Sequence, residues 1–394
     1  MNSMFYGCYS LTSIDLSNFS FHNIKKTIYM FYNCSVLKYV DLHINRVNEV
    51  SMDYMFGECK SLISIDLSNF NSENQVSMSF MFYNCFSLSS VNLSNFKVKN
   101  KISMNEMFVN CHSLISFNFS NFKAGNEIMM NHMFDNCSSL KNVDFYNFIA
   151  ENKINMNYMI YNCHSLISIN FSNFNAKDDI DMQYLIYNSS SLISIDLSNL
   201  KVGNNFNAPN ICFYCKNLEY LNLSNFISQN NTYMYNMLES LTSLISVDIS
   251  NFQTENNIIM KNMFYNCHSL SSINFSNFSA NNKINMEEMF KNCFSLDSID
   301  LSYIKVKSDI NMRLMFYNCS SLKFVNLSYF EGYNNIHMDR MFFQCSSLNN
   351  VDISYFYANN GIEMDSLFPF SNNLKYLNLS NLRVKNSASF SEIG

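Results

Sequence analysis

The chain has 394 residues, a net charge of −6 and a pI near 5.6, with seven glycines, two prolines, 26 methionines, 13 cysteines and no tryptophan. Its longest basic cluster is Lys97-Val-Lys-Asn-Lys101, which argues against nucleic acid or an anionic membrane as the main partner. No stretch reaches the roughly 18 apolar residues of a membrane span, and the N-terminal MNSMFYGCYSL lacks the basic start and apolar run of a signal peptide.

Length alone suggests two or three domains, but the sequence repeats itself. Met-Phe pairs and their substitutes fall at Met4, Met30, Met55, Met81, Met107, Met133, Met159, Leu185, Ile211, Met237, Met263, Met289, Met315, Met341 and Leu367. The step is 26 residues, broken once by 25. A fixed period in this range marks a stacked repeat architecture. The expectation is one α/β repeat solenoid over residues 1–394, of about 15 coils, with a parallel sheet on one face and short helical or turn segments on the other. Coils stacked about 4.8 Å apart would give a rod or arc roughly 70 Å long. The pattern starts and stops partway through a repeat, so an uncapped fragment of a longer protein is expected. Terminal coils that carry the same apolar columns as the interior predict end-to-end self-association.

Residues 100–122, NKISMNEMFVNCHSLISFNFSNF, show one coil. Met104, Met107, Phe108, Cys111 and Leu114 recur at steps of three and four, the stripe of a short helix or of successive tight turns. Phe117 and Phe119 alternate with Asn118 and Ser120, the period of a half-buried strand. Beyond Phe122 the polar KAGNE leads to Asn126, whose column of asparagines is expected to turn the chain, because Asn tolerates left-handed backbone angles.

The columns decide the tempting motifs. Nearly all 26 methionines fall in the Met104 and Met107 columns and read as core packing, with no metal site. Twelve of the 13 cysteines share the Cys111 column. Only Cys212 and Cys215 have C-x-x-C spacing, and no second pair accompanies them, so zinc is not expected. Stacked identical positions give poor disulfide geometry, which leaves a ladder of small buried thiols. His112, His164 and His268 each follow a column cysteine and read as exposed turn residues. Nothing assembles a nucleophile, a base and an orienting group, so no enzyme and no cofactor are expected.

Between the buried strand residues lies one outward column that runs from Asp15 to Asn378 and holds only Asp or Asn. From Asp144 onward the two alternate. Stacked carboxylates about 5 Å apart would repel; interposed amides relieve this and bond to both neighbours. A self-satisfying ladder is the first reading. A row of ligands for Ca²⁺ or for a cationic partner is the second, though a single file supplies too few oxygens for calcium by itself.

Three later segments break the monotony. At 205–215, NFNAPNICFYC, Pro209 stands inside the turn stripe and suggests either a kink or sequence drift. Asn230-Asn-Thr232 is the one Asn-x-Ser/Thr triplet placed in a turn, and so the one glycosylation candidate kept. The outward serine column is broken by Tyr39, Tyr220, Phe324 and Tyr376, and the asparagine column after it by Tyr303, Tyr329 and Tyr355. Exposed aromatics on a polar sheet are contact anchors. Tyr303, Phe324, Tyr329 and Tyr355, with Asp300, Asn326 and Asp352 beside them, form the candidate partner-binding surface.

The motif Met-Phe-x-x-Cys-x-Ser-Leu-x-x-Ile-Asp-Leu-Ser-Asn-Phe, as at residues 55–70, resembles the BspA-type leucine-rich repeat proteins, in particular the branch with repeats of about 25 residues found in mycoplasma surface lipoproteins. The resemblance covers essentially the whole chain. It implies a leucine-rich-repeat-like solenoid at the cell surface or outside the cell, used in adhesion to host or matrix proteins. It carries over no catalytic residue; that the chain has no nucleic acid partner and no direct membrane insertion is expected from its charge and its lack of an apolar span. Two departures qualify it: the lipoprotein signal of that branch is missing, and where the usual leucine pattern has Asn or Cys this chain has Phe96, with Asn95 one earlier. The alternative is an intracellular scaffold or recognition module, which free thiols would suit.

Overall fold

The computed structural model describes every residue except 43, 45, 46, 69, 303 and 392–394. The chain divides into two compact units, Met1–Leu192 and Ile193–Gly394. Each unit is a parallel β-solenoid. Unit 1 has front strands Ser13–Leu16, Tyr39–Leu42, Ser64–Asp66, Ser90–Asn92, Ser116–Asn118, Asn142–Asp144 and Ser168–Asn170. Unit 2 has Ser194–Asp196, Tyr220–Asn222, Ser246–Asp248, Ser272–Asn274, Ser298–Asp300, Phe324–Asn326, Asn350–Asp352 and Tyr376–Asn378.

Two shorter strands follow each front strand from Ser64–Asp66 onward, as at Lys123–Ala124 and Ile128–Met129 in unit 1 or Lys305–Val306 and Ile310–Asn311 in unit 2. Each pairs in parallel with its counterpart 26 residues on: Phe117 with Val143, Lys123 with Ile149, Ile128 with Ile154. The period in the sequence is therefore the register of the ladders. A slip of one residue would turn every inward side chain to solvent.

The core is a set of like-on-like columns. Phe56, Phe82, Phe108 and Phe134 stack in unit 1 with centroids 5.4–5.8 Å apart. Phe264, Phe290, Phe316 and Phe342 do the same in unit 2 at 5.4–5.6 Å. Full burial of each ring contributes on the order of 2–3 kcal/mol. The methionine columns are buried beside them, as the sequence indicated.

The expected helical segments are not there: among the described residues no helix occurs. The stretch holding Met104, Met107 and Cys111 is a run of tight turns. Glu106 and Asn110 have φ of 54° and 60°, and each left-handed residue ends any helix before it completes a turn. The amides then alternate in direction. Glu106, Phe108 and Asn110 donate to Asn131, Met133 and Asp135 of the next coil at 2.8–2.9 Å, while Met107 and Cys111 donate to the residue three before them. A helix would satisfy these donors internally; here half of them join neighbouring coils.

The left-handed columns also differ from the one expected. They are the residue before Met107, the residue before Cys111, and the residue before Phe122, where Asn121 has φ of 60°. The Asn126 column bends the chain without positive φ. Its amides form a ladder instead: Asn126 Nδ2 donates to Asn100 Oδ1 at 2.8 Å, and in unit 2 Asn256 donates to Asn230 at 2.9 Å. Ladders of this kind recur where identical polar residues stack in register.

Pro209 breaks the pairing on neither side of it: before it Phe206 pairs with Thr232 in register, and after it Leu221 pairs with Val247. In other coils the amide at its position donates to a side chain, as Asn157 does to Asn155 Oδ1 at 3.1 Å, and not to the backbone, so a proline there leaves the backbone ladders intact.

Candidate protein-binding surface

The outward Asp/Asn column does more than avoid repulsion. In every coil but that of Asp41, whose partner position lies outside the described residues, the side-chain Oδ1 accepts the amide N–H two residues on, from Asp15 and Ser17 to Asn378 and Ser380, at 2.6–3.1 Å. This Asx turn fixes the exit from those front strands. It accounts for the restriction of the column to Asp and Asn, whose side-chain oxygens accept this bond more strongly than a Ser or Thr hydroxyl does. The amide bridge between neighbours is present as well, with Asn170 Nδ2 donating to Asp144 Oδ1 at 3.0 Å.

On this frame the candidate residues fall into two groups. Asp300, Asn326 and Asp352 lie in register on adjacent strands, with Phe324 at the start of the middle one. Phe324 is 37% exposed. Tyr329 and Tyr355 sit past the other end of the strands, in the left-handed turn, with φ of 56° and 54°. Their rings stack at 4.7 Å and 2° and are 42% and 50% exposed. An aromatic residue at such an angle costs more than Asn, and the stacked partner offsets part of that cost. Tyr303 lies outside the described residues.

The chemical alternatives close on inspection. The 13 cysteines are free, and all but Cys8 are buried. The column thiols bond backward: Cys137 Sγ donates to Phe108 O at 3.0 Å and Cys319 Sγ to Phe290 O at 3.0 Å. Burial pushes the Cys34 thiol to about 11 and the Cys267 and Cys345 thiols to about 12. Such thiols are poor nucleophiles and poor metal ligands. His112, His164 and His268 are exposed while their neighbouring cysteines are buried, so the two side chains face opposite ways. The glycosylation candidate is also closed: Thr232 is fully buried, and the Asn230 amide is held within its ladder.

Two charged clusters were missed in the sequence. In unit 1, His132 Nδ1 lies 3.1 Å from Asp135, and burial raises the carboxyls of Asp135 and the neighbouring Glu106. In unit 2, His337, Asp339 and Glu363 are the only group of three among the described residues close enough to share a metal ion. Arg313 already bridges the two carboxylates at 2.7 Å each, and His337 bonds Glu363 at 2.6 Å. That makes the cluster a salt-bridge network across coils. The pairs stand one and two coils apart, a signal visible only after the sequence is folded onto its period.

Four overlapping segments, residues 1–122, 91–200, 207–330 and 285–393, match the family described as "Mycoplasma protein of unknown function, DUF285". No curated protein matches the sequence. Among solved structures, a leucine-rich repeat protein from Bacteroides ovatus is 19% identical with a TM-score of 0.48, covering 89% of this chain and 81% of its own. An internalin from Listeria monocytogenes is 14% identical with a TM-score of 0.30, covering 94% and 87%. A leucine-rich cell surface protein from Faecalibacterium prausnitzii is 14% identical with a TM-score of 0.23, covering 94% and 83%.

Proposed function

The chain belongs to the family described as Mycoplasma protein of unknown function, DUF285, and on that premise we propose that it is a non-enzymatic protein-interaction solenoid of the BspA-like kind. It works at the cell surface in adhesion or recognition, through the front-strand face. The observation that carries this reading is the paired Tyr329 and Tyr355, half-exposed and stacked at left-handed positions in a column that most other coils fill with asparagine. With Phe324, Asp300, Asn326 and Asp352 they offer aromatic anchors on a polar, turn-locked sheet. An acidic chain with such anchors suits a protein partner rather than nucleic acid. The buried thiols are compatible with export, because burial shields them from oxidation. They equally suit the intracellular scaffold reading.

The test uses substitutions native to each column, Tyr329→Asn with Tyr355→Asn, and Phe324→Ser. Binding of the purified chain to a panel of matrix proteins is compared with its thermal melt. Lost binding with an unchanged melt supports the reading; unchanged binding counts against it. Protease shaving of intact cells separates the two locations. Release of peptides from 122–129 and 278–284 without lysis supports the surface, and full protection supports the interior.

A further inference from the structure

The front face of unit 2 holds a hollow of about 590 Å³ on strands Ser194–Asp196, Tyr220–Asn222, Ser246–Asp248 and Ser272–Asn274. Tyr220, 46% exposed, lines it from the strand between those that carry Asp196 and Asp248. The two carboxylates stand two strands apart, about 10 Å, and each lies roughly 8 Å from the tyrosine position. Each uses one oxygen in its Asx turn, with Ser198 at 2.8 Å and Ser250 at 2.9 Å. No other donor reaches either carboxylate among the described residues. Residues 193–198, 219–224, 245–250 and 271–276 contain Asp196, Glu219 and Asp248 but no Lys, Arg or His.

Resting on the protein-binding reading above, we propose that this hollow is a docking site for an extended basic segment of a partner protein that presents two arginines three residues apart. Charge complementarity selects the cation, since the strands supply carboxylates and nothing to neutralise them. Tyr220 supplies a ring face for a guanidinium, which stacks on aromatics better than an ammonium does. The spacing follows from the fold. Residues i and i+3 of a polyproline-II segment share one face about 9 Å apart, close to the separation of Asp196 and Asp248.

The same arrangement recurs farther along unit 2, with a difference that sharpens the assignment. Phe324 stands between the strands of Asp300 and Asp352. There Lys323 immediately precedes Phe324 in the chain and pairs with Asp297 at 2.7 Å. A cation already on site makes that position the weaker one for a basic ligand, so the Tyr220 hollow is the primary site.

The test is fluorescence anisotropy with the full chain and a labelled Gly-Arg-Pro-Pro-Arg-Gly peptide in low salt. The substitutions are again native to their columns: Asp196→Asn with Asp248→Asn, Tyr220→Ser, and Asp300→Asn with Asp352→Asn as the charge-matched control. The double variant at 196 and 248 is expected to weaken binding at least about tenfold, and citrulline in place of both arginines should do the same. Tyr220→Ser is expected to weaken it about threefold, and the control pair to leave it within about twofold. Equal loss in the control pair would show general acidic attraction and overturn the site. Unchanged binding in the 196/248 variant would overturn it as well. Tyr329→Asn with Tyr355→Asn should not alter peptide binding; unchanged binding of that variant to matrix proteins would sink the earlier reading and leave this one standing.

Discussion

The turn segments of the two units solve one backbone problem in two ways. In unit 1 the left-handed residue before the methionine column is Ser3, Tyr29, Tyr54, Phe80, Glu106, His132, Tyr158 and Tyr184. In unit 2 it is Asn210, Asn236, Asn262, Glu288, Leu314, Arg340 and Ser366. Asn tolerates positive φ through its own chemistry. The aromatics depend on each other: Tyr54 stacks on Phe80 at 4.5 Å, and Tyr158 on Tyr184 at 4.8 Å. Past the front strand the pattern reverses. Unit 1 keeps Asn95, Asn121, Asn147 and Asn173, while unit 2 introduces Tyr329 and Tyr355. The backbone demands a left-handed angle at these columns but leaves the side chain outside the core. They are therefore where a repeat this uniform can vary its surface.

If the units differ only at their surfaces, core truncations should act alike. Phe108→Ala in unit 1 and Phe290→Ala in unit 2 each remove a fully buried, stacked ring. Each is expected to cost about 3–5 kcal/mol in urea denaturation. A difference between them of more than about 2 kcal/mol would break the comparison.

The left-handed columns should respond in opposite directions. Tyr158→Asn loses two stacked neighbours but gains a residue suited to its angle, for a net change within about 1 kcal/mol. Asn262→Tyr places a ring between Asn236 and Glu288 with no aromatic partner in its column, and should destabilise by about 1 kcal/mol or more. Thermal melts of the two variants distinguish these outcomes.

Two serines in the thiol column sharpen the contrast. The Ser371 hydroxyl donates to Phe342 O at 2.6 Å, as a column thiol does, whereas the buried Ser189 hydroxyl has no partner. Ser189→Cys should stabilise by about 1 kcal/mol and Ser371→Cys should be near neutral, read by the shift in denaturation midpoint.

The smallest effect is in pH dependence, and its sign differs between units. Burial raises the Glu106 and Asp135 carboxyls, in the latter case outweighing the bond from His132. Folding of that region therefore loses stability as pH rises through the carboxylate range. The His132 pKa is raised, first by its bond to Asp135, so its contribution is present below about 6.5 and lost above it. Glu363 is lowered, first by its bond to His337, so its contribution is present above about 4.5 and lost as pH falls. Amide exchange protection, corrected for intrinsic rates, should weaken toward alkali around His132 and toward acid around Glu363.

Much of this was legible in the sequence because a 26-residue period is also a register. The buried columns, the front strand and the inward thiols follow from it directly. The turn segment was harder. Met104, Met107, Phe108, Cys111 and Leu114 are spaced as on a helix, and two consecutive left-handed turns place them on one face equally well. The distinguishing signal was Asn110, an asparagine immediately before the cysteine in coil after coil. The Asx turns were also visible, as a serine two residues past an Asp or Asn. The salt-bridge network around Arg313 was not, because its members meet only across coils.

The most direct test of surface recognition is to measure binding and melting of the same preparation, wild type against Tyr329→Asn with Tyr355→Asn, on intact host cells. A loss of about tenfold or more in binding with the melting temperature unchanged is the predicted result. Undiminished binding by the variant would contradict it and return the tyrosine pair to the status of a tolerated substitution.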